Sequence, residues 1–292
     1  MREGGSGARP REGTPRRTAV VFAVGLAFFP ACTFTTDLDG LLTATDGGVR
    51  DEAGPADAPA DTPADAPASD GGSAYASAVR ADAPIAWYRL DETAPTTARD
   101  AMGRFDGVYK SYASPYFQMQ QPGAIKDDPS KSVRFVGGSI EVDGAFSFAN
   151  GAPFTLELWI DLNPTAAPDF VRVLSMENGA NGYNIHVNQT NLFFEMRGGG
   201  QPAIARGTAL PVGWAHCVVT YDGTLAALYL DGVKAVEYTS LARLPVRAGP
   251  FAIGGASYGG PADLANGRLD EVAVYDKVLT IERIRAHSAA GK

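Results

Sequence analysis

Two Asp-Gly pairs, Asp222-Gly223 and Asp231-Gly232, constrain this chain more tightly than any other feature. Before the first pair, Trp214, His216, Val218 and Thr220 alternate with Ala215, Cys217, Val219 and Tyr221, the period-two pattern of a strand. Between the pairs, residues 225–230 run apolar, and a third run covers 233–238. Asp-Gly accepts the positive φ that tight hairpin turns require, so residues 214–238 read as a β-meander. A meander is marginal alone and must bury one face against a second sheet.

The flanking sequence supplies that sheet. Strands are expected at 85–90, 105–109, 132–136, 139–142, 171–175, 183–187, 191–196, 251–254 and 268–275, separated by Gly- and Asn-rich turns. Residues 154–161, FTLELWID, alternate strictly, with Phe154, Leu156, Leu158 and Ile160 on one face and Thr155, Glu157, Trp159 and Asp161 on the other. This is the pattern of an antiparallel strand with one solvated face. Only residues 280–287 read as a helix, with Thr280 as its cap. Roughly a dozen short strands without alternating helices give an all-β class, an antiparallel two-sheet jelly-roll sandwich with a short C-terminal helix. A parallel α/β fold is excluded, since its crossovers have no helices to run through.

Residues 1–31 read as an export signal, Arg-rich to Arg17, then apolar from 18 to 29. The apolar run is too short to span a bilayer as an ordinary helix. The segment LAFFPAC, ending at Cys32, resembles a bacterial lipobox, which implies acylation of Cys32 and a membrane anchor without a transmembrane helix. Thr33 in the following position favours an outer-membrane, cell-surface address; an ordinary secretory signal is the alternative. Residues 32–74 form an Asp/Ala/Pro-rich tether, of low complexity and with almost no large apolar residue from about 46 to 73, expected to stay disordered and extended. Charge follows these divisions: +3 on residues 1–17, −8 on 33–74 and −3 on the remaining 75–292. No basic stripe argues for nucleic acid. Cys217, the second of two cysteines, sits within a strand pattern and reads as a small buried hydrophobe.

The stretches YASAVRADAPIAWYRLDE, FTLELWI, WAHCVVTYDGTLAALYLDG and GRLDEVAVYDKVLTIERIRAH, taken together, resemble the laminin-G-like jelly rolls of the concanavalin A-like lectin and glucanase superfamily. The resemblance covers nearly all of 75–292 and implies one domain there. It implies a fold that hosts lectins, carbohydrate-binding and adhesion modules and glucanases, so it does not by itself fix a function. Relatives of this fold often hold calcium, and hard cations take carboxylate oxygens. The resemblance therefore implies Asp91, Glu92, Asp270 and Glu271 as candidate calcium ligands, the first pair just after the first strand and the second near the start of the last. The competing reading is that Arg89 and Arg268 neutralise these pairs.

Hydrolysis of a glycosidic bond needs two facing carboxylates, one protonated and one ionised. The glucanase pattern of Glu, apolar, Asp, apolar, Glu on one strand occurs nowhere in the chain, and Glu157 and Asp161 read as residues of a solvated face. The expectation is a non-catalytic module that binds carbohydrate or a surface glycoconjugate, with a protein-interaction or structural envelope module as the alternative. Trp159, on the polar face of its strand, is the candidate sugar-stacking aromatic. Asn184 and Asn188 are candidate hydrogen-bonding ligands, and His216 reads as a structural histidine.

Overall fold

The computed structural model describes residues 72–292 except 113, 115, 163–169, 179–180, 200, 243, 245–249 and 258–262. The signal segment, Cys32 and nearly all of the tether lie outside the described residues.

The described chain opens with a helix, α1 (Ala74–Ala81), and then lays down β1 (Ala86–Tyr88), β2 (Thr97–Ala98), β3 (Gly107–Ser111), β4 (Phe117–Pro122), β5 (Lys131–Phe135) and β6 (Gly138–Val142). Longer strands follow: β7 (Phe154–Leu162), β8 (Val171–Asn178), β9 (Asn181–Asn188), β10 (Asn191–Gly198) and β11 (Gln201–Ala209). The expected meander is β12 (Ala215–Tyr221), β13 (Leu225–Leu230) and β14 (Val233–Thr239), after which come β15 (Phe251–Ile253), β16 (Gly267–Tyr275) and α2 (Ile281–Ala290). Sheet I runs β14-β13-β12-β7-β16-β5-β4, with β1 also paired to β16; sheet II runs β11-β10-β9-β8-β15-β6-β3-β2. The pairings β1–β16, β7–β12 and β7–β16 are antiparallel, as are the β8–β9–β10 pairings of sheet II.

The main core lies between the sheets. Phe154, Leu156, Leu158 and Ile160 of β7 and Cys217, Val219 and Tyr221 of β12 meet Tyr183, Ile185, Leu192, Phe194 and Met196 of sheet II. Cys217 is free and fully buried, and burial pushes its thiol up to about 12. The first hairpin turn of the meander puts Gly223 at φ +100, and Asp222 there accepts the backbone N–H of Thr224 and Leu225. The second turn takes both Asp231 and Gly232 to positive φ.

The outer face of sheet I departs from the sequence expectation. Most of it is not solvated: α1 and α2 cover the part around Glu157 and Trp159, and β7 is buried on both sides except at Asp161, which is partly exposed. α1 was not legible as a helix. Its N-cap is Ser73, whose Oγ accepts the Ala76 N–H at 3.1 Å, and its alanines have the highest helix propensity. Tyr75, Ala76 and Val79 of α1 and Ile284 of α2 form a second core with Trp87, Trp159, Val218, Tyr229, Ala273 and Tyr275. An aromatic side chain such as Tyr75 buries about 150–250 Å², an upper-bound contribution of about 4–6 kcal/mol at ~25 cal/mol/Å². That is enough to dock an eight-residue helix that would be marginal alone. Gly291, just past α2, fits because it lacks a side chain: a Cβ there would stand 2.3 Å from the Trp159 ring.

Candidate functional site

With most of one outer face covered, the polar side chains of the other form the site. In sheet II, three cross-strand rungs of β8, β9 and β10 place outward residues side by side: Glu177, Gly182 and Arg197; Ser175, Asn184 and Glu195; Arg172, His186 and Phe193. The signal was present as alternation in 193–197, where Phe193, Glu195 and Arg197 share a face opposite Phe194 and Met196, but only register brings the strands together.

Gly182 makes the hub. Its φ is +138, and a Cβ there would meet the Met176 carbonyl oxygen at 2.1 Å. The absent side chain lets Arg197 reach across β9 to donate to Glu177 Oε1 at 2.7 Å. The same oxygen accepts from Asn184 Nδ2 at 3.0 Å, and Arg172 Nε donates to Glu177 Oε2. Arg172 also pairs with Asp263, and Arg197 with Glu195 at 2.8 Å. Asn184 Oδ1 can only accept, so its 2.6 Å contact with His186 Nδ1 fixes the proton there and leaves Nε2 as the acceptor. Burial, with the charges of Arg172 and Arg197, lowers the His186 pKa to about 4, so the ring is neutral at pH 7. It lies between Phe193 (centroids 5.1 Å apart, planes at 8°) and Phe170 (4.4 Å), and Arg172 covers Phe170.

The result is a set of planar groups held rigid by one another: two guanidiniums, an amide, an imidazole and two carboxylates beside aromatic rings. Arg172, Glu177, Asn184 and His186 are buried and direct their polar groups at one another, so the half-buried Arg197, Phe193 and Phe170 are what the hub leaves open at the surface. Arg197 Nη2 reaches both Glu177 Oε1 (2.7 Å) and Glu195 Oε1 (2.8 Å), so the two carboxylates share one guanidinium.

Of the residues singled out from the sequence, Asn184 belongs to this hub and is fully buried in it. Asn188 is exposed at the end of β9, opposite Asn191 and apart from the hub. Trp159 is a correction: it is 1% exposed because α1 and α2 cover its face, with Tyr75 packed edge-on at 6.0 Å, so no ligand reaches it in this arrangement.

Glu157 is a second correction. It accepts from Tyr75 Oη (3.0 Å), Tyr275 Oη (2.8 Å) and His216 Nε2 (2.8 Å), and His287 Nδ1 stands 3.0 Å from both its oxygens. Burial alone would raise its pKa, but the hydrogen bonds and charges of His216 and His287 hold it well below the usual carboxylate range. His287 Nε2 faces Asp82 at 2.9 Å; burial disfavours its charge, yet Glu157 and Asp82 together raise its pKa.

Asp91, Glu92, Asp270 and Glu271 do not converge on one point. Glu92 accepts from the Arg99 N–H and Tyr109 Oη, both at 2.8 Å, and Asp91 is partly exposed beside it. Asp270 and Glu271 are fully buried at a bulge in β16. Trp87 Nε1 (2.7 Å) and Arg89 Nε (3.2 Å) donate to Glu271, which leaves Arg89 as its counter-charge, and the Ala124 N–H donates to Asp270. Burial raises both pKa values, that of Glu271 to about 8 against the pull of Arg89. Arg268 pairs with Asp161 rather than Asp270. Asp270 Oδ1 is buried without a hydrogen-bond partner, but it stands alone: among the described residues no group of three or more His, Cys, Asp or Glu side chains is placed to hold a metal, so the four carboxylates do not fit a calcium site.

A laminin G family model, described as the concanavalin A-like lectin/glucanases superfamily, matches residues 136–285. Among solved structures, domain 4 of an extracellular arabinanase from Geobacillus stearothermophilus, in complex with arabinotriose, superposes with a TM-score of 0.55 at 17% identity, over 70% of this chain and 98% of that one. The binding domain of botulinum neurotoxin serotype D gives 0.54 at 12% identity, over 73% of this chain and 52% of that one. The binding domain of botulinum neurotoxin DC, solved with rat synaptotagmin II, gives 0.55 at 12%, over 72% and 52%. The chain thus spans about half the length of the toxin domains. At these identities the likeness is one of fold. No curated protein sequence matches.

Proposed function

The chain belongs to the concanavalin A-like lectin/glucanases superfamily, and from that membership we propose that residues 75–292 form a non-catalytic carbohydrate-binding module. In this reading Cys32 carries the lipid anchor, and residues 32–74 hold the module off the outer membrane at the cell surface. The observation that carries the proposal is the hub on sheet II, where the buried Arg172, Glu177, Asn184 and His186 fix the half-buried Arg197 beside Phe170 and Phe193. The arabinotriose complex of the similar arabinanase domain supports it, since there the same fold is solved with a saccharide.

Hydroxyl recognition uses Arg197 and Glu195 at the rim, with the buried members keeping them in place. This reading does not rest on calcium, since the carboxylates of Asp91, Glu92, Asp270 and Glu271 have no common focus. The test is binding of the purified chain to arabinan, xylan, β-glucan and mannan, with and without EDTA, reading released reducing sugar in the same samples. Binding that survives EDTA without sugar release is the expected result. Release overturns the non-catalytic reading, and no binding to any polysaccharide turns the reading toward a protein partner.

A further inference from the structure

The two helices do not cover all of the outer face of sheet I. Beyond the rung that holds His216, Trp159 and Asp270, one further row of outward side chains crosses the sheet. Arg268 of β16 stands opposite Asp161 of β7 on one side and Arg134 of β5 on the other, and Arg134 stands opposite Gln118 of β4. Trp214 extends the row on the far side of Asp161, one residue before β12 begins with Ala215 opposite Ile160. Trp214, Asp161, Arg268 and Arg134 are half-buried and Gln118 is exposed. Adjacent strands are about 4.8 Å apart, so these five side chains form a straight track roughly 19 Å long, perpendicular to the strands.

The members are not equivalent. Arg268 donates to Asp161 through Nε at 2.9 Å and lies 4.8 Å over the Trp214 ring, so its charge is answered and its plane fixed. Arg134 has no carboxylate partner among the described residues; its Nη2 donates to the neutral Asn266 Oδ1 at 3.4 Å. Arg134 and Asp161 also line a cleft of about 350 Å³ whose other wall is Leu162 and the β11–β12 connection, Leu210, Pro211, Val212 and Gly213. Val212 is fully exposed on its lip.

We propose that this row is a second binding site, for a linear acidic saccharide whose carboxylate is taken by Arg134. One unanswered guanidinium in a track of hydrogen-bonding and apolar groups matches an anionic unit within a hydroxyl-rich chain. It does not match a polyphosphate, which needs a run of cations, and the domain as a whole is mildly acidic. Asp161 and Gln118 address hydroxyls, and Pro211 and Val212 supply the apolar lip. The row shares no side chain with the hub on sheet II, so the two sites stand or fall separately.

The test is affinity of the full chain for polygalacturonate, alginate and hyaluronan at low and moderate salt, with fully methyl-esterified polygalacturonate as the uncharged counterpart. The expected result is binding of at least one acidic polymer, weakened by salt, and lowered about tenfold by Arg134→Gln as a charge-assisted contact is lost. Lys234→Gln, which removes an exposed positive charge on β14, is the control for net charge and leaves affinity unchanged. Val212→Asp, at an exposed position that does not threaten folding, lowers affinity and Val212→Lys raises it. The proposal is overturned if none of the three acidic polymers binds, if the methyl ester binds as well as the acid, or if Arg134→Gln and Lys234→Gln behave alike.

Discussion

Glu157 and Glu177 occupy matching positions on opposite outer faces of the sandwich, each almost fully buried and each reached by several donors. Their partners differ. Glu157 is met by two tyrosines and two histidines, and two of these, Tyr75 and His287, arrive on helices from the two ends of the domain. Glu177 is met by groups from its own sheet, Arg172, Asn184 and Arg197, each within 20 residues of it. The first carboxylate therefore fastens α1 and α2 to sheet I, and its environment is closed by an apolar second core. The second organises a surface, and the side chains around it become more exposed outward through Glu195 and Arg197. A buried charge is thus not in itself a sign of a site. What separates the two is whether the groups that satisfy it come from covering elements or from the face itself.

The largest expected effect follows from that difference. Glu157→Gln removes the charge that four donors share and should destabilise the domain by about 3 kcal/mol, lowering the melting temperature by roughly 10 °C. Denaturant unfolding near pH 6 checks it, and a loss under about 1 kcal/mol would break the comparison.

The next effect is on pH dependence. The lowered pKa of Glu157 contributes stability above about pH 4.5, its unfolded value, that is lost as pH falls toward the folded value. The raised pKa of His287 contributes stability in full below about pH 6.5 that is lost as pH rises through the folded value. His287 is faced by Glu157, Asp82, Tyr75 and Arg283, and Asp270 and Glu271, with raised pKa values, also lose stability as pH rises. The difference between wild type and His287→Gln isolates the histidine: it should be largest between about pH 4.5 and 6.5 and shrink above that. A difference that stays constant from pH 5 to 9 contradicts the clamp.

Arg197→Gln sharpens the comparison from the other side. Glu177 keeps Arg172 and Asn184, and Arg197 is partly exposed, so the stability cost should stay below about 1 kcal/mol while polysaccharide affinity falls about tenfold or more. The smallest effect belongs to Asn188→Ala, exposed at the end of β9, expected within about 0.5 kcal/mol of wild type in stability and without effect on affinity.

The features legible in the sequence were those that local chemistry decides. The meander, the turn at Asp231-Gly232, the alternation in β7 and the Thr280 cap of α2, whose Oγ1 accepts the Arg283 N–H at 3.4 Å, all follow from neighbouring residues. α1 was hidden because its Ala- and Ser-containing sequence continues the composition of the tether, and its docking partners lie far along the chain. The same distance hid the burial of Glu157 and Trp159, since the 82 residues to Tyr75 and the 130 to His287 leave no mark in a strand's periodicity. Asn184 was legible as an outward polar residue of β9. Its companions Arg172, Glu177 and Arg197 were not, because Gly182 had first to be placed opposite both Glu177 and Arg197.

The central claim is that the helix-covered part of the outer face of sheet I holds the fold, while the hub on sheet II meets the polysaccharide. It is tested most directly by measuring unfolding free energy and polysaccharide affinity for Glu157→Gln and Arg197→Gln side by side. The account predicts opposite signatures: Glu157→Gln loses about 3 kcal/mol of stability and, while folded, binds as wild type, whereas Arg197→Gln keeps its stability and loses binding. Arg197→Gln binding as tightly as wild type, or Glu157→Gln losing affinity while still folded, would contradict it.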